Sequence, residues 1–401
     1  MPKEIINIGL DIGSNTIKIL GAFREGNNNL YRIKFFEEAD SLGFFKGRVK
    51  DENDLVKAVK DLLERVKERY DVDVESVMVN ISGDKLEVFN NSASVSVGSA
   101  NEKVTELDKE RVEEDVKNVA LGNNKSILRV FPREWKLDNE KDIVDPLGLQ
   151  GIRLELDASI MTCFSGDKEA LEKVIKSTGI DIEDIVPTPF ADATLLLDNS
   201  QKELGVALVN IGFGTTSLIV YEDGKLLDLI VFPVGSSNIT NDIAVGLKTE
   251  IHIAEKIKKD FGITLPSSKK IEVKLDKDSG GKLVFSEREL RNIVAPRVSE
   301  IFSDLINKRL KKIGKEGKLP AGIILTGGGA KLKGVEDFAK KEFKLPCKIG
   351  FPENFIGFDK KDPSYSTVCG LVLLGDDFEE DIPSSNKIKK WIKEFLSNFK
   401  P

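Results

Sequence analysis

The sequence predicts an α/β fold of two similar lobes, with a small α/β subdomain inserted in the chain and an amphipathic helix at the C-terminus. Three observations predict it. A strand–turn–strand pattern near the start returns half a chain later: Asp11-Ile12-Gly13 maps onto Asn210-Ile211-Gly212 at an offset of 199. A repeat of that period implies two related domains facing each other. Between residues 84 and 164 the texture changes to short strand candidates around one charged helix, and from residue 387 the chain turns basic and periodic.

Residues 5–20 place two β-rich runs around the turn Gly13-Ser14-Asn15, which predicts a hairpin. Leu55, Val56, Val59, Leu62, Leu63 and Val66 have helical spacing within 52–69. Residues 76–83 read as a buried strand ending on a glycine. In the insert, strands at 85–89, 93–97, 126–131 and 152–162 accompany a helix near 107–120. A helix over 167–178 and a strand or turn over 184–189 lead to the second hairpin, 206–221. Helices follow at 237–246, 250–261 and 286–312. A strand at 321–326 then runs into Gly327-Gly328-Gly329, and 365–374 is a last buried helix. Residues 376–381 are acidic, and 382–386 (Ile-Pro-Ser-Ser-Asn) read as a flexible linker.

Composition removes several kinds of chemistry. The 401 residues carry 60 Lys+Arg against 67 Asp+Glu, a net charge of −7, with 40% hydrophobic residues. That is a soluble globular balance, long enough for more than one core. An acidic chain is a poor general nucleic-acid binder, so no nucleic-acid partner is expected. One histidine, His252, excludes a His-rich zinc centre, and no nucleophile-elbow pattern accompanies it. Cys163, Cys347 and Cys369 are far apart and fit small buried apolar positions in a reducing compartment. No apolar run approaches the ~18 residues of a spanning helix, and residues 1–7 show no signal-peptide character, so secretion is not expected.

A tight turn of small residues between strands points several backbone N–H groups into one concavity, and a phosphate chain is its usual guest. Gly13, Gly212 and Gly214 allow close backbone approach, while Ser14, Asn15, Thr16, Thr215 and Thr216 add side-chain donors. Asp11 stands at the mouth of the first turn, placed to hold hydrated Mg²⁺, and Lys18 to offset phosphate charge. Gly327, Gly328 and Gly329 let the backbone pass close to a flat adenosine.

In order, Asp11-Ile12-Gly13-Ser14, Asn210-Ile211-Gly212-Phe213-Gly214-Thr215-Thr216 and Thr326-Gly327-Gly328-Gly329-Ala330 resemble phosphate 1, phosphate 2 and the adenosine motif of the actin, sugar-kinase and heat-shock ATPase superfamily. The fold implied is actin-like (ribonuclease H-like). Residues 187–193 and 366–371 sit where its connecting segments fall. Within it the chain resembles the FtsA family, through residues 126–135 and 145–156 of the insert above all. The resemblance implies ATP and Mg²⁺ as cofactors, with Asp11, Gly13, Ser14, Asn15, Thr16 and Lys18 on metal and phosphate. Gly212, Phe213, Gly214 and Thr215 would close the other side, with Gly327, Gly328 and Gly329 around adenosine. Glu255 and Lys258, one helical turn apart, are candidates on the adenosine or an ordinary i, i+3 surface ion pair.

The same resemblance divides the chain. Residues 1–83, 165–195 and 366–382 form the first core subdomain, and 84–164 the inserted subdomain with filament contacts. Residues 196–245 and 318–365 form the second core subdomain, 246–317 a small subdomain for the base and the FtsZ peptide, and 383–401 the linker and membrane helix. Arg291, Arg297 and Glu300 are candidates for the FtsZ C-terminal peptide or plain solvated residues. One departure matters: Asn210 stands where the family usually has Asp. An amide carries no charge and cannot serve as a base, so at most weak ATP hydrolysis is expected.

In the tail, Ile388, Trp391, Ile392, Phe395, Leu396 and Phe399 make one helical stripe, and Lys390 and Lys393 lie among the lysines of the other face. That suits an anionic bilayer surface, or else a terminal helix docked on its own core. The function implied is an ATP-binding cell-division protein that polymerises with itself at the cytoplasmic side of the membrane and tethers FtsZ there. The alternatives are a PilM-like type IV pilus protein, or an exopolyphosphatase or sugar kinase.

Overall fold

The computed structural model describes residues 6–26, 30–98, 101–118, 122, 124–263, 270–274, 282–358 and 361–379. Its first lobe is a six-stranded sheet, ordered Asp181–Pro187, Ser76–Ile81, Asn7–Ile12, Thr16–Arg24, Tyr31–Asp40, Phe355–Ile356. Strand Asn7–Ile12 is buried along its whole length. It pairs antiparallel with Thr16–Arg24 across the first turn, and parallel with Ser76–Ile81. A parallel pair needs a crossover, and helix Glu52–Tyr70 supplies it. The Asp51 side chain caps that helix by accepting from the Asp54 N–H at 3.0 Å. Leu55, Ala58, Val59, Leu62 and Val66 form its buried stripe.

The second sheet has nine strands, ordered Cys347–Ile349, Ile323–Thr326, Val206–Ile211, Thr216–Glu222, Lys225–Phe232, Glu87–Ser96, Arg153–Phe164, Lys125–Leu137, Glu140–Ile143. The first five belong to the second lobe and the last four to the insert, joined at the pair Ile230↔Glu87. The insert leaves the chain of the first lobe yet extends the sheet of the second. It keeps its own core around Trp135, Leu154, Leu156, Ile160, Val112 and Val116. Arg129 and Asp184 pair where the insert meets the first sheet.

Helices Thr188–Leu196 and Ser366–Glu379 pack against each other in the region between the two sheets. They approach so closely that a Cβ on Gly370 would lie 2.2 Å from the Ala191 carbonyl oxygen.

Several expectations need adjusting. The two strands expected at 85–89 and 93–97 are one, Glu87–Ser96. The polar residues Asn90, Asn91 and Ser92, which separate the two expected strands, lie inside it, and Asn91 donates to the Val116 carbonyl at 2.9 Å. The strand or turn at 184–189 is strand Asp181–Pro187 followed directly by helix Thr188–Leu196. The helix expected over 286–312 runs Glu287–Ser299, then a π-helical stretch Glu300–Asn307, then Lys308–Lys312. Pro296 lies inside its first part, and a residue without an N–H disturbs the helical ladder there. Residues 383–401, with the membrane helix expected on them, lie outside the described residues. Among the described residues no helix is long and apolar enough to cross a membrane.

Candidate functional site

The two hairpin turns close on themselves in the same way. Gly13 N–H donates to Thr16 O at 3.0 Å, and Gly212 N–H to Thr215 O at 2.8 Å. These are the same pair of positions at the same 199-residue offset, and both turns face one cavity of about 500 Å³. Asp11, Gly13, Ser14, Asn15, Thr16 and Lys18 line it, then Gly212, Phe213, Gly214 and Thr215, then Glu255 and Lys258, then Gly327, Gly328 and Gly329; Thr216, expected as a further donor, does not, because its strand position buries the side chain completely. Three sequence-distant glycine motifs therefore share one cleft between the lobes.

The turns almost touch. The Lys46 N–H donates to Ser14 Oγ at 3.0 Å, and a Cβ on Gly214 would stand 2.7 Å from that same oxygen. Gly327 has φ 82 and ψ 171, a conformation essentially reserved for glycine. A Cβ there would meet Asn210 Oδ1 at 2.2 Å. Only bare backbone fits between these walls.

Asp11 is 6% exposed. Its Oδ1 accepts from Asn80 Nδ2 at 2.9 Å, and its Oδ2 faces Lys18 Nζ at 3.4 Å. Lys18 Nζ also donates to Thr16 Oγ1 at 2.9 Å. Burial raises the Asp11 pKa above the ordinary carboxyl value; Lys18 opposes the shift and Glu38 adds to it. Asn80 fixes the strand beneath the turn, accepting from the Ile12 N–H at 2.7 Å and donating to Thr188 Oγ1 at 3.0 Å.

Glu255 and Lys258 are not a surface pair. Lys258 is buried beside the cleft, with Nζ 2.6 Å from Glu255 Oε2, 2.9 Å from Thr240 Oγ1 and 3.2 Å from the Ser236 carbonyl. Its ammonium lies 5.6 Å from the centroid of the Phe213 ring. Burial lowers the Lys258 pKa against the pull of Glu255. For Glu255, burial works upward, but Lys258 and the Thr240 hydrogen bond outweigh it and the pKa falls below the usual value.

Three polar positions at or behind the cleft escaped the sequence reading. Asn80 and Asp192 are lone polar residues in apolar runs, Val77-Met78-Val79-Asn80-Ile81 and Phe190-Ala191-Asp192-Ala193. That is the one available signal, since a buried polar group needs a partner. Thr367, from the helix at 366–379, also lines the cleft.

Arg297 and Glu300 lie away from the cleft and already have partners. Arg297 Nε and Nη2 reach the Asp242 carboxylate at 2.7 and 3.2 Å, and Nη1 pairs with Glu300. They tie helix Glu287–Ser299 to helix Ser236–Leu247, and a peptide arriving there would exchange these pairs. Arg291 lies on the same helix, partly buried.

The donor set suits a metal that arrives hydrated. Among the described residues no group of three or more His, Cys, Asp or Glu forms a cage. Mg²⁺ held by one carboxylate, water and phosphate oxygens needs none. Asp11, the oxygen of Asn210 and Glu38, whose charge acts on Asp11, are acceptors bordering the cleft, and the glycine turns leave room for phosphate.

Comparison with known proteins shows the family of this chain. A family model described as "Cell division protein FtsA" matches residues 207–370, and one described as "SHS2 domain inserted in FTSA" matches residues 83–162. The chain is 31% identical to the cell division protein FtsA of Borreliella burgdorferi over 97% of this chain and 94% of that one. It is 30% identical to that of Bacillus subtilis over 93% of this chain and 84% of that one. The chain belongs to the FtsA family.

The solved structures agree on an actin-like fold. A PilM–PilN type IV pilus biogenesis complex matches with TM-score 0.65 at 16% identity, over 93% of this chain and 99% of that one. MreB5 of Spiroplasma citri bound to ADP matches with TM-score 0.57 at 16% identity, over 94% and 99%. At such identities the likeness shows the fold. The SHS2-type insert and the FtsA relatives decide against the PilM-like and exopolyphosphatase alternatives. This FtsA-family chain is a cell-division protein on an actin-like ATPase fold.

Proposed function

We propose that this FtsA-family chain binds ATP with Mg²⁺ in the cleft between its lobes. In that state it assembles with copies of itself and tethers FtsZ filaments to the cytoplasmic face of the membrane at the division site. The observation that carries the nucleotide reading is the convergence of the two phosphate turns and the triple glycine on one cavity. The turns' N–H groups hold the phosphates, Asp11 faces the hydrated metal, Lys18 offsets negative charge, and Glu255, Lys258 and Gly327–Gly329 meet the adenosine. Hydrolysis is weak at most, because Asn210 has no carboxylate with which to activate water.

The subdomain boundaries given above divide the work. Residues 84–164 carry filament contacts, and 246–317 take the base and the FtsZ C-terminal peptide, with Arg291, Arg297 and Glu300 meeting its charges. Residues 383–401 attach the chain to lipid through the stripe of Ile388, Trp391, Ile392, Phe395, Leu396 and Phe399, with Lys390 and Lys393 on the headgroups. Each lysine near an anionic surface contributes about 1 kcal/mol, so one tail binds reversibly and assembly adds avidity. Co-sedimentation with anionic liposomes in the presence of ATP, with and without residues 383–401, tests the tether. Loss of binding on truncation is expected, and unchanged binding contradicts it.

A further inference from the structure

The second phosphate turn carries an amide where the first carries a carboxylate, and the structure holds a carboxylate directly behind that amide. Asp192, from helix Thr188–Leu196, is fully buried. Its Oδ2 accepts from Asn210 Nδ2 at 2.6 Å, and its Oδ1 accepts from Thr367 Oγ1 at 2.8 Å. Once ionised, as at the pH 8.5 of the test below, this carboxylate has no proton to give, so it can bind only the NH₂ end of an amide. The other end of Asn210 must then turn away from Asp192. Its Oδ1 does so, lying on the side of Gly327, where an added Cβ would meet it at 2.2 Å. Both Asn210 and Gly327 line the cleft, and Thr367 borders it.

The first lobe shows the same pair inverted. There the carboxylate, Asp11, is in front on the turn strand, and the amide, Asn80, stands behind it at 2.9 Å. In the second lobe the amide is in front and the carboxylate behind. We propose that Asp192 is a positioning residue that locks the Asn210 amide with its NH₂ turned inward, so that the oxygen Oδ1 faces the cleft where the family's usual carboxylate oxygen would stand. The inference rests on the nucleotide reading above. A hydrated cation offers its waters' protons outward and is served by acceptors, whereas an amide turned the other way would present two donors of the wrong polarity. Asp192 thus lets a neutral residue at 210 keep the hydrogen-bonding sense of a carboxylate, while the negative charge sits one residue further from the phosphates.

The test is calorimetric titration with ADP at pH 8.5, with Mg²⁺ and with EDTA, on the full chain. For the wild type, Mg²⁺ is expected to raise ADP affinity. In Asp192→Asn the side chain can donate as well as accept, so Asn210 is no longer held one way. The Mg²⁺-dependent gain should fall three- to tenfold while the affinity in EDTA moves less than twofold. Asp192→Ser, which can also donate, should behave alike and guards against a folding defect peculiar to one variant. The double variant Asp192→Asn/Asn210→Asp moves the carboxylate to the front and should restore the gain. The proposal is overturned if Asp192→Asn keeps the full Mg²⁺ gain, if affinity falls equally with and without Mg²⁺, or if the double variant fails to recover. Absence of ADP binding by the wild type under both conditions would instead remove the nucleotide reading on which the proposal stands.

Discussion

Asp192 also makes a prediction about the apo protein. Burial, with Asp11 adding to it and the Asn210 and Thr367 hydrogen bonds opposing, pushes its carboxyl up to about 7 from an ordinary 3.8. The fold therefore holds this proton more tightly than the unfolded chain does. Between about pH 4 and pH 7 the folded state carries the extra proton, so the group's contribution to stability is greatest at the acid end and declines as pH rises. Above pH 7 both states have lost the proton and the dependence stops. A difference of roughly three pH units corresponds to on the order of 4 kcal/mol. Asp192→Asn removes the titration while keeping the volume and a partner for both Asn210 and Thr367. Urea unfolding of wild type and variant at half-unit steps from pH 5 to 9 gives the difference curve, in which titrating groups not coupled to Asp192 cancel. The variant should gain about 2–3 kcal/mol on the wild type as pH rises from 5 to 7, after which the difference holds constant. A difference curve flat across the range would refute the assignment.

Other substitutions probe the cleft and the frame around it. Gly327→Ala puts a side chain into a conformation reserved for glycine, 2.2 Å from Asn210 Oδ1. It should cost about 1–3 kcal/mol in denaturant unfolding and abolish nucleotide binding measured by calorimetry. Gly214→Ala presses on Ser14 Oγ from 2.7 Å and should spread the two turns, weakening ATP at least tenfold with little change in thermal midpoint. Arg309→Ala leaves the Asp228 carboxylate, 4% exposed at its side chain, without its guanidinium. Stranding a buried charge costs about 3–5 kcal/mol, which unfolding curves will show far from the cleft, and Arg309→Ala/Asp228→Asn should recover most of it.

The parts of the site legible in the sequence are those written in local backbone chemistry. Small residues between two β-rich runs make a turn whatever surrounds them, so the paired hairpins and the triple glycine could be read and their half-chain offset counted. Burial could not be read so directly. Glu255 and Lys258 show the spacing of a surface pair, and only the packing of helix Ile251–Phe261 against helix Ser236–Leu247 removes them from water. Asn80 and Asp192 reach the site because Ser76–Ile81 lies parallel to Asn7–Ile12 and because helix Thr188–Leu196 crosses behind strand Val206–Ile211. Those are tertiary facts that local sequence does not carry. Strand Tyr31–Asp40 went unread for a related reason: its solvent face carries Arg32, Glu38 and Asp40, so its alternation is masked by charge. In the insert, the polar run Asn90-Asn91-Ser92 broke the apolar pattern and split one strand into two, although a sheet with one wet face accommodates such residues.

The cleft's purpose can be tested most directly by titrating the purified full chain with ATP and Mg²⁺ in a calorimeter, beside the Gly327→Ala variant. One nucleotide bound per wild-type chain, and none by the variant, is the predicted result. A wild type that takes up no adenine nucleotide, or a variant that binds as well as the wild type, would contradict the convergence of the glycine turns on a nucleotide.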